Sequence, residues 1–264
     1  MKVRENKKQS QDKIILINYS DNNYRRSQNT NTKTALNVGG FSKVISYNPK
    51  DIDENFYDLN KKILSLKRGG GYWLWKPYII KKTLDQLEWN DYLFYSDAGC
   101  YFIDSIHHLK NSIQQDIIPF ELKHIEKKWT KRDAFFLMNC DAPNYFETKQ
   151  RLASYSLWKK TPLSMRFINE WLELCTDERL ITDSENTLGK ENFDGFVEHR
   201  HDQSIFSLLT KKYNLEGYRN PSQFGNEYFE LYKNSSYPQL LVHNRQRDII
   251  QKVKGRINKW LKIN

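Results

Sequence analysis

The most constraining feature of this chain is a helical pattern followed by a short apolar strand and an acidic turn. Residues 78–88 place apolar side chains on roughly one face, and Pro77 suits the first turn of a helix because its missing N–H has no partner there. Residues 91–96 then form an apolar run typical of a buried strand. The run leads into Asp97, Ala98 and Gly99. Because ligands bind at the carboxyl ends of strands in open α/β sheets, we predict a site at Asp97.

Similar patterns recur along the chain and predict an α/β architecture. Further strands are predicted at residues 13–19, 41–47, 134–139 and 239–244. Helices are predicted at residues 51–64, 103–113, 148–175 with a break at Pro162, and from Gln203 onward, whereas residues 29–40 resemble a loop. The chain has 264 residues and no Pro/Gly/Ser-rich linker, which indicates a single domain at residues 1–244 followed by a tail.

Cysteine usage and hydropathy indicate a cytoplasmic protein. The three cysteines, Cys100, Cys140 and Cys175, form no metal-ligand spacing and cannot all pair, which suits a reducing compartment. The basic first residues are not followed by an apolar signal core, and no apolar run approaches the length that spans a bilayer. We therefore expect the chain to stay in the cytoplasm.

The tail at residues 245–264 carries more than half of the net charge of +10, with seven Lys or Arg residues against one acid. Apolar residues recur in it at helical spacing: Ile249, Ile250, Val253, Ile257, Trp260 and Leu261. A basic amphipathic helix of this kind suits an anionic membrane surface, which would put the protein on the inner face of the membrane. A helix docked on the protein body is the open alternative.

Several single residues admit a structural and a functional interpretation. Arg25 lies in a polar segment after the first strand, where it would meet phosphate or only solvent, and Trp75 would stack on a sugar or base or belong to the core. Asp202 would cap the helix that begins at Gln203, or lie beside a bound group there. His243 ends a short apolar run, where a histidine is a ligand or a structural residue.

The order of these features resembles that of GT-A fold glycosyltransferases, over roughly residues 13–245. Gly-Tyr-Trp-Leu-Trp-Lys-Pro-Tyr-Ile-Ile at 71–80, followed by Tyr-Ser-Asp-Ala-Gly-Cys at 95–100, resembles small bacterial glycosyltransferases of capsule and lipopolysaccharide clusters. His-Asp-Gln-Ser-Ile-Phe at 201–206 is similar to the Asp-Gln segment of retaining sugar transferases related to glycogenin. The resemblance implies a Rossmann-like mixed sheet flanked by helices.

The resemblance also implies an activity and a set of site residues. The activity is transfer of a sugar, of the hexosyl class, from a nucleotide-diphosphate sugar, with UDP favoured, to a glycan or lipid-linked acceptor in surface polysaccharide synthesis, with retention of configuration. Asp202 and Gln203 would be catalytic. The donor-binding residues would be Tyr19, Arg25, Trp75, Lys76, Asp97, Ala98 and Gly99.

A divalent cation, Mn²⁺ or Mg²⁺, would bind Asp97 and His243. The family motif is Asp-x-Asp, however, and here Gly99 stands at the position of the second acid. Because these hard cations need oxygen ligands, the missing carboxylate leaves metal dependence open.

Two other function classes compete with this hypothesis. Basic charge and abundant aromatic residues suit a nucleic-acid-binding protein, but no binding module is recognisable and the basic residues before the tail alternate with acids, so we expect no nucleic-acid partner. A catalytically idle protein that binds sugar nucleotides is the second alternative, because the second acid is missing. Only turnover separates that protein from an enzyme.

The tail yields a first testable prediction. The intact protein should sediment with anionic vesicles at low ionic strength and be released by salt, because each Lys or Arg near such a surface contributes about 1 kcal/mol that ions screen. Vesicles of zwitterionic lipid serve as the control. Protein that stays in the supernatant with anionic vesicles at low salt would exclude membrane attachment and favour the docked helix.

Overall fold

The computed structural model of the chain describes residues 13–244, so the helix predicted at residues 245–264 lies outside the described residues. The strands are β1 (Ile14–Tyr19), β2 (Lys43–Tyr47), β3 (Tyr92–Ser96), β4 (Cys100–Phe102), β5 (Ile117–Ile125), β6 (Lys149–Lys159) and β7 (Leu241–His243). The helices are α1 (Arg25–Asn37), α2 (Glu54–Leu59), α3 (Lys61–Leu64), α4 (Gly69–Tyr72), α5 (Trp75–Gln86), α6 (His107–Ser112), α7 (Arg132–Leu137), α8 (Pro143–Phe146), α9 (Pro162–Cys175), α10 (Glu178–Ile181) and α11 (Asp202–Lys212). Short 3₁₀ segments occupy Pro49–Asp51, Glu126–Lys128 and Gln223–Leu231. The division into a domain at 1–244 and a separate tail stays a prediction.

Five strands form a mixed sheet in the order β2-β1-β3-β6-β5. The first three strands are mutually parallel, with β1 between β2 and β3, whereas β6 runs antiparallel to both β3 and β5. The carboxyl ends of β1, β2 and β3 therefore lie at one edge of the sheet, as the sequence predicted for Asp97. A separate antiparallel pair joins β4 to β7, with Cys100 opposite His243.

Both faces of the sheet are covered, which explains the continuous apolar runs of its central strands. One face packs under α5, α9 and α11, with Trp158 of β6 against Trp171 and Phe206. The other face packs under α1 and the β4–β7 pair, with Phe94 of β3 against Phe102. Among the helices of residues 13–244, none has the length and apolar character needed to cross a membrane.

Three predicted elements are wrong. Residues 29–40 are not a loop, because α1 covers most of them. The helix shows no apolar periodicity, because the residues that it buries are mostly polar: Ser27, Gln28 and Asn31, with Ala35. Residues 134–139 belong to α7 and the turn after it rather than to a strand. Residues 148–160 are not helical but contain β6, which is buried from Gln150 to Trp158 and so lacks the alternation of a half-buried strand.

The three consecutive glycines turn the chain into α5. Tyr72 and Trp73 have positive φ angles of 50° and 62°, and Gly69, Gly70 and Gly71 before them have values of 59°, 60° and 91°. These values favour glycine, and a Cβ on Gly71 would lie 2.6 Å from the Leu64 Cα atom. The turn places Lys76 in the first turn of α5, facing the end of β3.

Candidate active site

The site is built on a tight turn at the carboxyl end of β3. The Cys100 backbone N–H donates to the Asp97 carbonyl at 3.1 Å, which closes the turn around Ala98 and Gly99. The Asp97 N–H donates to the Ser154 carbonyl of β6 at 2.7 Å, so the neighbouring strand holds the turn as well. The Asp97 carboxylate is therefore presented on a rigid support.

Lys76 joins this turn to the start of α11. Its ammonium Nζ lies 2.7 Å from Asp202 Oδ2 and 3.7 Å from Asp97 Oδ1. Lys76 and Asp202 are each only 3% exposed, so their charges are largely removed from water. An isolated buried ammonium is very unfavourable, and the two carboxylates compensate it. Three residues that the sequence predicted separately are thus brought together, and we call them the Lys76–Asp97–Asp202 cluster.

The surroundings of the cluster alter its proton affinities. Burial raises the pKa of Asp202 to about 6; Lys76 opposes the shift and the negative charge of Asp97 adds to it. Tyr95 donates its hydroxyl proton to Asp97 Oδ1 at 2.6 Å. Burial, reinforced by Asp97, raises the pKa of Tyr95 well above its usual value, so the phenol stays a hydrogen-bond donor at neutral pH. Sequence reasoning missed Tyr95, which looked like one more apolar position of β3.

Asp202 does not cap α11, which corrects one interpretation of the sequence. The residue before the helix is His201, with a φ angle of 53° and no capping bond from its side chain, and Asp202 is the first helical residue. The His201 ring stacks on Trp73 with centroids 5.4 Å apart and donates from Nδ1 to the Ile181 carbonyl at 3.0 Å. Burial lowers the pKa of His201 to about 4, so the ring is neutral at pH 7.

The Gln203 side chain faces β6. Its amide nitrogen donates to Gln150 Oε1 at 2.9 Å, and its amide oxygen accepts from the Ala153 N–H at 3.3 Å. These contacts tie the first turn of α11 to the strand beside β3. Of the two predicted catalytic residues, Asp202 therefore belongs to the cluster, whereas the Gln203 side chain holds α11 against β6.

Aromatic residues adjoin the cluster at the end of β1. Tyr19 stacks on Trp75 with ring centroids 3.8 Å apart and planes 14° apart, and Trp75 donates from Nε1 to the Gly69 carbonyl at 2.9 Å. Burial, aided by the negative charges of Asp21 and Asp51, raises the pKa of the Tyr19 phenol, which keeps it neutral. Arg25 is exposed at the first residue of α1. Trp75 is largely buried, so its ring belongs to the core and also backs Tyr19.

His243 lies on the other side of the Asp97 turn. It pairs with Cys100 between β4 and β7, and the next residue, Asn244, donates its N–H to the Gly99 carbonyl at 2.8 Å. Gln223 holds the His243 backbone from both sides, accepting from its N–H at 3.0 Å and donating to its carbonyl at 2.9 Å. Asp97 and His243 thus flank one turn. Across residues 13–244, no three His, Cys, Asp or Glu side chains are grouped so as to hold a metal ion.

A charged rim adjoins the cluster at His201. Arg68 bridges Asp183 at 3.0 Å and Glu198 at 3.3 Å, and the Tyr72 hydroxyl donates to Asp183 at 2.9 Å. The Tyr72 ring also contacts the edge of His201. No sequence motif pointed to this rim, because its members come from three segments that only the fold brings together.

Comparison with known proteins gives structural neighbours at low sequence identity. No protein-family model and no curated protein match the chain. Mouse xyloside xylosyltransferase 1 in its apo form is similar in structure, with a TM-score of 0.50 and 9% identity over 88% of this chain and 98% of that one. The apo structure of the bifunctional glycosyltransferase WbbM gives a TM-score of 0.51 and 9% identity over 88% of this chain and 46% of that one.

The chain has the GT-A fold. The predicted fold class is therefore confirmed. The cluster lies at the carboxyl ends of the parallel strands of the sheet. At 9% identity these neighbours establish the fold and not the reaction, because the chemistry of a GT-A domain depends on its side chains.

The buried Asp202 should make stability depend on pH. Because its pKa rises from 3.8 in the unfolded chain to about 6 in the folded protein, the folded state binds this proton more tightly. The resulting stabilisation is complete below about pH 4 and is lost as the pH rises through about 6. Asp202→Asn should remove this decline from urea-unfolding free energies measured between those pH values.

Asp85→Asn, which changes a half-exposed carboxylate on α5, is the matched control and should keep the wild-type slope. If Asp202→Asn kept that slope too, Asp202 would not be the group that binds the proton.

Proposed function

We propose that the chain is a glycosyltransferase that moves a sugar, of the hexosyl class, from a nucleotide-diphosphate sugar to a glycan or lipid-linked acceptor in surface polysaccharide synthesis. The observation that carries this proposal is the buried Lys76 ammonium between Asp97 and Asp202, at the carboxyl edge of a GT-A sheet. Two proteins of similar structure are named as glycosyltransferases, which supports the class of reaction. A UDP-sugar is the donor that we favour.

The cluster suits a donor with a negatively charged leaving group. A diphosphate needs cationic groups that are already in position when charge develops on it, and Lys76 near the start of α5 offers an ammonium. We assign the diphosphate to Lys76 and Arg25, and the base to Tyr19 with Trp75 behind it. Ala98 and Gly99 leave room for the donor sugar beside Asp97.

A divalent cation belongs to this proposal as a partner of the donor. Two protein ligands, Asp97 and His243, are too few to hold Mn²⁺ or Mg²⁺ by themselves, since such ions take about six or more oxygen-rich ligands. The diphosphate oxygens would supply further ligands. The ion would therefore bind together with the nucleotide, and Mn²⁺ without nucleotide should bind weakly.

Donor binding gives a direct test. A thermal-shift panel of nucleotide sugars, with and without Mn²⁺, should identify a donor that raises the melting temperature of the wild type. Asp97→Asn should abolish that shift and the transfer of sugar while the protein stays folded. Asp85→Asn again serves as the control and should keep both.

Near-normal turnover in Asp97→Asn would remove Asp97 from the mechanism. A donor that binds without any turnover, across a panel of glycan and lipid-linked acceptors, would favour the idle binding protein instead.

We propose that the reaction retains configuration, with Asp202 at the reacting centre. The bond from the anomeric carbon to the diphosphate breaks, a bond to the acceptor oxygen forms on the same face, and the acceptor proton passes to the leaving diphosphate. Positive charge develops at the anomeric carbon, and a carboxylate nearby stabilises it. Gln203, with its amide bonded to β6, would hold α11 and so keep Asp202 in place.

The stereochemical outcome tests this mechanism. The NMR spectrum of the product should show the same anomer as the donor, and Asp202→Asn should lower the rate by orders of magnitude with the fold intact. A product of the opposite anomer would contradict retention and would indicate an inverting enzyme with its base elsewhere on the acceptor side.

We also propose that the enzyme works in the cytoplasm at an anionic membrane surface, held by the basic tail at residues 245–264. Lipid-linked acceptors would be presented at that surface. The vesicle experiment described above tests this part separately from the chemistry.

A further inference from the structure

Helix α1 buries polar side chains where a helix normally buries apolar ones. Asn31 has no exposed surface, Gln28 is 1% exposed, and Asn18 beneath them on β1 is also fully buried. Buried amides without partners are costly, so each needs a full set of hydrogen bonds. The bonds that they form lead from α1 to the ends of the parallel strands.

Asn31 is fully bonded, and its partners lie at both ends of the Asp97 turn. Its amide oxygen accepts from Asn18 Nδ2 at 2.7 Å. Its amide nitrogen donates to Ser96 Oγ at 3.1 Å and to the Cys100 carbonyl at 2.9 Å. Ser96 is the last residue of β3 and Cys100 the first of β4, so one amide group bridges the three residues between them.

The contacts continue into the turn itself. The Ser96 hydroxyl donates to the Asp97 carbonyl at 3.1 Å, so a chain of hydrogen bonds runs from Asn18 through Asn31 and Ser96 to the Asp97 backbone. Such chains strengthen each of their members in a water-free environment. Cys100 is also the residue that pairs with His243, so the same amide supports the strand opposite that histidine.

We propose that Asn31 is a positioning residue for the donor site: its amide holds the two ends of the Asp97 turn and thereby sets the direction of the Asp97 carboxylate. Asn31 acts through Ser96 and Cys100 and need not touch the donor. Its effect on the turn is independent of the proposed function, whereas its effect on the donor rests on that function.

The test compares Asn31→Ala with Thr83→Val. Thr83 is buried on α5, bonds to the Tyr47 hydroxyl at 3.0 Å and donates to the Ile79 carbonyl at 2.8 Å, so its loss should also cost buried hydrogen bonds but away from the turn. Native-state hydrogen exchange is read at the Asp97 and Cys100 amides, which donate to Ser154 and Asp97. Asn31→Ala should accelerate exchange at both by about tenfold or more, as expected for lost buried hydrogen bonds, and Thr83→Val should not.

Ser96→Ala is the milder variant if Asn31→Ala does not fold. It removes a single acceptor of Asn31 and should accelerate the same two amides. In the double variant the two effects should not add, because both substitutions break one chain of bonds. If the Asp97 and Cys100 amides exchanged no faster in the Asn31 or Ser96 variants than in Thr83→Val, the positioning role would be overturned.

Calorimetric titration with UDP and Mn²⁺ gives the functional readout. Asn31→Ala should weaken binding by about tenfold relative to the wild type, while Thr83→Val should bind as the wild type does. Unchanged affinity in Asn31→Ala would overturn the link to the donor. If the wild type bound neither UDP nor any nucleotide sugar, the proposed function would fail, and the exchange data would still decide whether Asn31 positions the turn.

Discussion

A buried lysine ammonium needs carboxylate partners, and this requirement organises the site around Lys76. Its partners come from the turn after β3 and from the first residue of α11. The negative charge that they supply offsets the cost of burying the ammonium. The three segments are thereby held together, and a negatively charged ligand that approaches Lys76 would exchange one anionic partner for another.

Polar networks support this cluster from both faces of the sheet. On one side, Asn18 and Asn31 connect α1 to the Asp97 turn. On the other, Gln203 bonds to Gln150, which in turn donates to the buried Glu126 at 3.0 Å. Glu126 is paired with Lys211 of α11 at 2.6 Å. Hydrogen bonds are directional where apolar contacts are not, so these networks specify how α1 and α11 sit on the sheet edge.

Local pattern predicted the elements whose buried faces are apolar. Strands β1 and β3 and helices α5, α9 and α11 are confirmed close to their predicted positions, because each shows a continuous or periodic apolar run. Helix α1 escaped prediction because Gln28 and Asn31 face inward. Strand β6 was mistaken for a helix because the sheet buries both of its faces, and a run without alternation does not distinguish the two structures.

By itself, the sequence determined that an acidic residue follows a buried strand, that Lys76 lies near the start of a helix, and that another helix begins next to Asp202. Such statements depend on near neighbours along the chain. Only the tertiary structure decided that Lys76 pairs with both acids, that Gln203 turns towards β6, and that His201 packs as a neutral ring against Trp73. The physical reason is that these partners are distant in sequence, so packing of helices on the sheet, rather than local propensity, sets which charges meet and which are desolvated.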